Sequence, residues 1–158
     1  MIKYFMIIFF VIAIFSCGII QRVFSDQSVK TLCNRIDEIK VIPFKDEYVE
    51  DEVYNKIVKI GVPIIPYLID KILDTNKMND PRKAPPYNGV TVGDVAFFVL
   101  LNITEQRIQD FLPESIQDKF EKQGVYAYFK FVENSKSRIF IQKKLRQRYN
   151  DKSLSTHY

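Results

Sequence analysis

Side chains able to do covalent, acid–base or metal chemistry are few in this sequence, and their spacing keeps them apart. The one histidine, His157, lies in the polar stretch 152–158, where nothing in the sequence would hold it as a general base. Two cysteines, Cys17 and Cys33, make neither a disulfide framework nor a metal-ligand cluster, so no metal or other cofactor is expected. Gly18, Gly61, Gly89, Gly93 and Gly124 are too dispersed for a phosphate-cradling loop. Carboxylates do gather: Asp46, Glu47, Glu50, Asp51 and Glu52 fall within seven residues. Such a group could run general acid–base chemistry, with Glu50 or Asp51 as the working side chain. Near a helix start the same charges complement the positive end of the helix dipole, and this structural role is the one expected. Asp70 and Asp74 share a helix face and are expected to be solvated. Asn102-Ile103-Thr104 matches a glycosylation acceptor but falls in a stretch expected to be buried. No residue is assigned as catalytic, no small-molecule substrate is evident, and enzyme activity is not expected.

The N-terminus has a different kind of chemistry to offer. Residues 1–20 hold a single charged side chain, Lys3, followed by an apolar run from Tyr4 to Ile20. Seventeen helical residues reach about 25 Å, slightly short of a hydrocarbon core of roughly 30 Å. A positive start, apolar residues 5–15 and the small residues Ser16 and Gly18 make up an export signal. The order Ala13-Ile14-Phe15-Ser16-Cys17-Gly18 resembles a bacterial lipobox, with aliphatic Ile14 three positions before the cysteine and small Ser16 just before it. Phe15 is bulkier than the residue usual at its place. The resemblance implies cleavage before Cys17 and lipidation of its thiol. Cleavage after Ser25 and an uncleaved single-span anchor stay open. The expected location is therefore exported and membrane-attached, at a bacterial periplasmic face or in the cell envelope, with a secreted or single-pass form as the alternatives. Cys33 is then left without an intramolecular partner and is expected as a buried thiol, an intermolecular bridge being the other reading.

The formal charge of +4 is also local in origin. Residues 136–152 carry Lys136, Arg138, Lys143, Lys144, Arg146, Arg148 and Lys152 against Asp151 alone, a net of +6, while the rest of the chain is at −2. A basic helix can meet nucleic acid, anionic headgroups or an acidic protein surface, or simply face solvent. Export removes nucleic acid from the expected partners, and solvent exposure is the plainest reading. Lys143, Lys144, Arg146 and Arg148 are the candidates for lipid or acidic-partner contact, because one lipid signal plus a basic patch strengthens attachment.

The elements that must position these residues read as helical. With 47% hydrophobic and 27% charged residues, the composition excludes a fibre, a disordered chain and a multi-span membrane protein. Residues 21–35 read as a tether, within a lead-in segment 17–40, and 41–44 as a short strand or extended stretch. Val53, Ile57 and Ile60 recur at helical spacing up to Gly61. Ile64, Ile65, Leu68, Ile69, Ile72 and Leu73 then line one face of a second helix, with Pro63 and Pro66 at its tolerant start. Residues 75–91 form a loop with three prolines and the turn signal Asn88-Gly89. Thr91 and Asp94 have capping-box spacing ahead of the apolar run 95–101, the expected central buried helix, closed at Asn102. A short helix 114–123 ends at Gly124, 125–132 is read as a helix with a strand as the alternative, and 135–149 is the last helix. Residues 153–158 are expected as a disordered tail.

The stretch 57–74, IVKIGVPIIPYLIDKILD, resembles the hairpin of HEAT-like helical repeats, with Gly61, Ile65, Pro66, Leu68, Ile69 and Asp74 at the family's places. Residues 92–104 and 128–151 are similar to the continuation and the C-terminal helix pair of small bacterial HEAT-like proteins. No clear second repeat is present, so the resemblance implies a compact all-α domain, 41–152, of five to six helices rather than a long superhelix. It carries over no catalytic residue, and such folds usually bind partners. The expected activity is protein–protein binding, in its narrowest form that of an immunity-like protein neutralising an imported toxin. The expected contact residues are Asp46, Glu47, Glu50, Asp51 and Glu52 together with Arg82, Lys83, Tyr87 and Asn88, since loops on rigid scaffolds commonly carry binding residues. The alternative is a structural or assembly lipoprotein of the cell envelope with a basic, lipid-contacting C-terminal helix.

Overall fold

Apolar stripes at helical spacing need a common surface to cover, and one very apolar helix provides it. The computed structural model describes residues 25–43, 47–83 and 85–154. Seven α-helices occur among them: α1 (Asp26–Cys33), α2 (Glu52–Ile60), α3 (Ile65–Lys71), α4 (Val92–Thr104), α5 (Glu114–Gln123), α6 (Val125–Val132) and α7 (Ser135–Asn150). Short 3-10 turns at Ile36–Glu38, Val62–Ile64 and Ile108–Phe111 link them. No strand forms among the described residues, and 125–132 is the helix α6. The protein is all-α.

Helix α4 is the centre. Every residue from Val92 to Thr104 is buried except Asn102, as an apolar run with no polar stripe requires. Its start follows the expected capping box: Asp94 N donates to Thr91 Oγ1 at 3.3 Å, and Thr91 N donates to Asp94 Oδ2 at 2.9 Å. The helix runs two residues past Asn102, the expected end, to Thr104. Gly93 explains how α4 can lie so close to the end of α3. Its N–H donates to the Asp74 carbonyl at 2.9 Å. A Cβ there would stand 2.4 Å from the Ile72 carbonyl oxygen, so only glycine fits.

Helices α2 and α3 form where their apolar spacing predicts them, and each packs on α4. Gly61 turns the chain with φ 67° and ψ −131°, a backbone state that L side chains resist. Pro63 sits in the following 3-10 turn and Pro66 in the first turn of α3, where a missing N–H costs nothing. On the other side of α4, α6 brings Tyr128 and Phe129 against Phe97 and Phe98. The Phe97 and Tyr128 rings stack with centroids 5.2 Å apart, and Phe111 meets Phe97 edge-on at 5.7 Å. Helix α5 has no fully buried residue and joins the core only through half-buried Ile116 and Phe120.

Two expectations about boundaries are corrected. The tether read at 21–35 is, from Ser25 on, part of the body. Ser25 caps α1, and Val29, Cys33, Ile36 and Ile39 are buried in the common core. Four apolar positions at helical spacing suffice to dock a segment that is polar on average. With this helix the described residues hold seven, six of them within 41–152 as expected. At the other end, Leu154 is buried, and its N–H and that of Ser153 reach the Arg148 carbonyl, so the body extends from 25 to 154. Only 155–158 of the expected tail, His157 with them, lie outside the described residues. Residues 75–91 lack helix, as expected, yet the loop is tied at its base. Met78 N donates to Val90 O and Val92 N to Asn76 O, while Ile42 N bonds Pro81 O from across the fold.

Candidate functional site

The acidic stretch before α2 divides by direction. Asp51 is buried and caps α2, accepting from Tyr54 N at 2.9 Å. Its second oxygen accepts from Lys40 N at 2.7 Å and Val41 N at 3.2 Å, which pins the lead-in segment to the helix. Asp51 is thus corrected from contact residue to structural anchor. Glu50 and Glu52 remain exposed, Glu52 pairing with Lys56 one turn on. Glu47 pairs with Lys83 of the loop, and Asp46 lies outside the described residues. Burial pushes the Cys33 thiol up to about 12, with Lys71 opposing and Asp70 adding to the rise, so the expected buried thiol is found and holds its proton.

The loop candidates divide in the same way. Asp80, its side chain nearly buried, binds the Arg82 guanidinium at 2.5 and 2.9 Å and accepts from Arg82 N and Tyr87 N. Burial works to raise the Asp80 carboxyl, but these hydrogen bonds outweigh it and hold the group below the usual carboxylate range. Arg82 also lies 4.6 Å from the Phe129 ring centroid, and Tyr87 stacks on the same ring at 4.3 Å with its hydroxyl donating to Glu133. Arg82 and Tyr87 therefore anchor the loop to α6, and Arg82 also lines the cleft beside it. Lys83 and Asn88 stay exposed.

Beside this loop opens a cleft of about 350 Å³. Its floor is Ile42, Phe98, Leu101, Ile108 and Val125, drawn from four separate parts of the chain. Lys83, Asn102 and Arg107 stand on its rim. Next to Glu47, Tyr48 is the most exposed large hydrophobic side chain of the described residues at 79%. An apolar hollow with a few polar groups around it is the common form of a binding site.

The basic helix also turns some of its charge inward. Arg148 donates to Gln106 Oε1 at 3.0 Å and to the Asp110 carbonyl at 3.2 Å, and its guanidinium covers the Phe111 ring at 4.7 Å. Arg146 pairs with Asp70 at 2.6 Å, and Asp74 with Lys71 at 3.5 Å, so the two aspartates expected to be merely solvated have cationic neighbours. Lys143 and Lys144 remain from the expected contact set. Burial, and then the Arg148 charge, lower the Lys144 ammonium from its usual range.

Sequence reasoning missed the most buried charges among the described residues. Asp94 and Arg138 are 0% and 5% exposed, and the guanidinium meets the carboxylate at 3.0 and 3.2 Å. Tyr128 donates to Asp94 Oδ1 at 2.9 Å, Thr91 Oγ1 to Oδ2 at 2.8 Å, and Arg138 also reaches the Ile72 carbonyl. Burial first, and then the Asp94 charge, hold the Tyr128 hydroxyl well above its usual range. Among the described residues no buried side-chain nitrogen or oxygen lacks a partner. With no opening to solvent, this cluster ties α3, α4, α6 and α7 together and has no surface for a substrate. A signal existed: Arg138 falls in step with Ile141 and Leu145 on the apolar face of α7.

The lipidation candidate Cys17 lies outside the described residues. Among those described, no helix is long and apolar enough to cross a membrane, and no group of three or more His, Cys, Asp or Glu residues is placed to hold a metal ion. Compared with known proteins, the chain is matched by no family model, no curated protein and no solved structure.

Proposed function

We propose that this chain is an exported, membrane-attached protein that acts by binding another protein, through the mouth of the cleft beside the 75–91 loop. The observation that carries the reading is Tyr48: a tyrosine 79% exposed, next to Glu47, whose partner Lys83 stands on the rim of an apolar hollow. Exposed aromatics beside a pocket are what interface hot spots are built from. The loop can serve as a firm rim because Asp80, Arg82 and Tyr87 hold it to α6. The attachment is by a lipid on Cys17, following the lipobox-like sequence. The scaffold is a HEAT-like hairpin, α2–α3, packed on the central helix. In its narrowest form the partner is an imported toxin and the protein confers immunity.

Growth of cells expressing the toxin candidate encoded beside this gene, with and without the protein, tests the immunity form. Protection that is lost in Tyr48→Ala or Lys83→Glu, at unchanged thermal stability, supports the cleft mouth as the contact face. No protection by the wild-type protein sinks the immunity form, and protection that survives both variants moves the contact face elsewhere. Fractionation of Cys17→Ala tests the anchor: a variant that stays in the membrane as the processed wild type does removes lipidation.

A further inference from the structure

We propose that the outward face of α7 rests on an anionic lipid surface, with Ile139 and Phe140 entering the headgroup layer and Lys136, Lys143 and Lys144 meeting the phosphates. The helix is turned so that Arg138, Ile141 and Leu145 are buried. At 3.6 residues per turn, Lys136, Ile139, Phe140 and Lys143 fall within about 60° of the line opposite that stripe. Ile139 and Phe140 are 40% and 41% exposed, two of the few exposed large apolar side chains among the described residues. The Phe140 ring meets half-buried Phe131 edge-on at 6.3 Å, and Lys144 Nζ lies 5.9 Å from its centroid. Two apolar side chains ringed by lysines form the polarity pattern of an interfacial helix.

Charge decides the occupant. Residues 135–150 include no Asp or Glu. The arginines of α7 are spoken for: Arg138 by Asp94, Arg146 by Asp70, Arg148 by Gln106 and the Asp110 carbonyl. Among the described residues Lys136 and Lys143 are exposed and form no ion pair, so their charge is available to a negative surface. Half-buried Lys144 flanks Phe140, with Asp110 as its acidic neighbour. Position points the same way. The Tyr67 hydroxyl donates to Asp26 at the start of the described chain, and Asp70, one turn further along α3, holds Arg146. The point where the chain leaves its N-terminal segment and the fourth turn of α7 therefore lie on one flank of α3. An anchor ahead of residue 25 brings the outer face of α7 to the same bilayer. The inference rests on the attachment reading above for this last step.

The sequence has no tryptophan, so Phe140→Trp gives a single reporter. The full chain carrying it is reconstituted into vesicles of phosphatidylcholine with about one-third phosphatidylglycerol, and into phosphatidylcholine alone, each with brominated acyl chains. The expected result is blue-shifted, quenched emission in the anionic vesicles and little quenching in the neutral ones. Tyr126→Trp, on the face of α6 that bonds Pro85, is expected to stay unquenched in both. Adding Lys136→Gln, Lys143→Gln and Lys144→Gln lowers the equilibrium constant for the membrane-facing orientation on the order of a hundredfold. Raising salt to 1 M does the same, since screening shortens from about 10 Å to about 3 Å. A chain that co-floats with vesicles while Phe140→Trp is unquenched, or is equally quenched in neutral lipid, overturns the inference and leaves attachment standing. A wild-type chain that fails to co-float overturns both. Circular dichroism and the unfolding midpoint of each variant confirm that the fold is intact.

Discussion

The acidic stretch before α2 and the basic stretch of α7 look alike as sequence: runs of one charge sign, each at or within a helix. The structure treats both in the same way. One charge is taken into the core for a geometric task, and its neighbours stay outside. Asp51 turns in to cap α2 and to hold the backbone of Lys40 and Val41, while Glu50 and Glu52 face water. Arg138 turns in to meet Asp94, while Lys136 and Lys143 face out. The two interior sites differ in kind. Asp51 is satisfied by backbone donors close at hand, whereas Arg138 needs a carboxylate 44 positions away. A cap is a local device, and a buried ion pair is a tertiary one.

The largest effect is expected from separating the buried pair. Arg138→Met leaves the Asp94 carboxylate without its cation in the core and should cost about 3–5 kcal/mol of unfolding free energy, read from urea titration. A loss of under about 1 kcal/mol would show that the Thr91 and Tyr128 hydrogen bonds hold Asp94 unaided. Gly93→Ala comes next. Its Cβ must push the Ile72 and Asp74 carbonyls away from α4, at about 1–3 kcal/mol by the same titration. Asp51→Ala should cost about 1–2 kcal/mol, as loss of an N-cap does, and Glu50→Gln should be indistinguishable from wild type. Equal effects of these two would erase the division within the acidic stretch. Arg146→Ala, at an exposed ion pair, should lose no more than about 1 kcal/mol.

Cys33 sharpens the comparison from a third side, as a buried group kept neutral. Its folded value, about 12, lies above the ordinary thiol value of 9.0. Below pH 9 both states carry the proton, and the buried thiol stabilises the fold fully. From pH 9 towards 12 the unfolded chain releases a proton that the folded chain keeps, so stability falls as pH rises through this window. Urea midpoints across that window should fall less steeply for Cys33→Ala than for wild type, and parallel curves would remove the effect.

Much of the fold was legible because its signals are local. The capping box at Thr91 and Asp94, the glycine stops at 61 and 124, and the spacing of Ile57, Leu68 and Ile69 all act within a few residues, where helix geometry alone decides the outcome. Helix α1 was harder to see, since Val29 and Cys33 are sparse among polar neighbours and gain meaning only once α2 and α3 supply a surface. Lys83 and Asn88 are exposed on the loop, as polar residues in a turn-forming stretch suggest. The roles of Arg82 and Tyr87 were not readable, because Phe129 comes from a helix more than forty residues away.

By itself the sequence determined the helices from α2 onward, their turns, and where charge accumulates, since each of these follows from interactions within one or two helical turns. Only the tertiary structure decided which charges turn inward. It also assembled the cleft floor from Ile42, Phe98, Leu101, Ile108 and Val125, and brought the start of α1 and the fourth turn of α7 to one flank of α3. The physical reason is that burial and pairing belong to surfaces meeting, and a residue's neighbours along the chain do not specify which surface its side chain will meet.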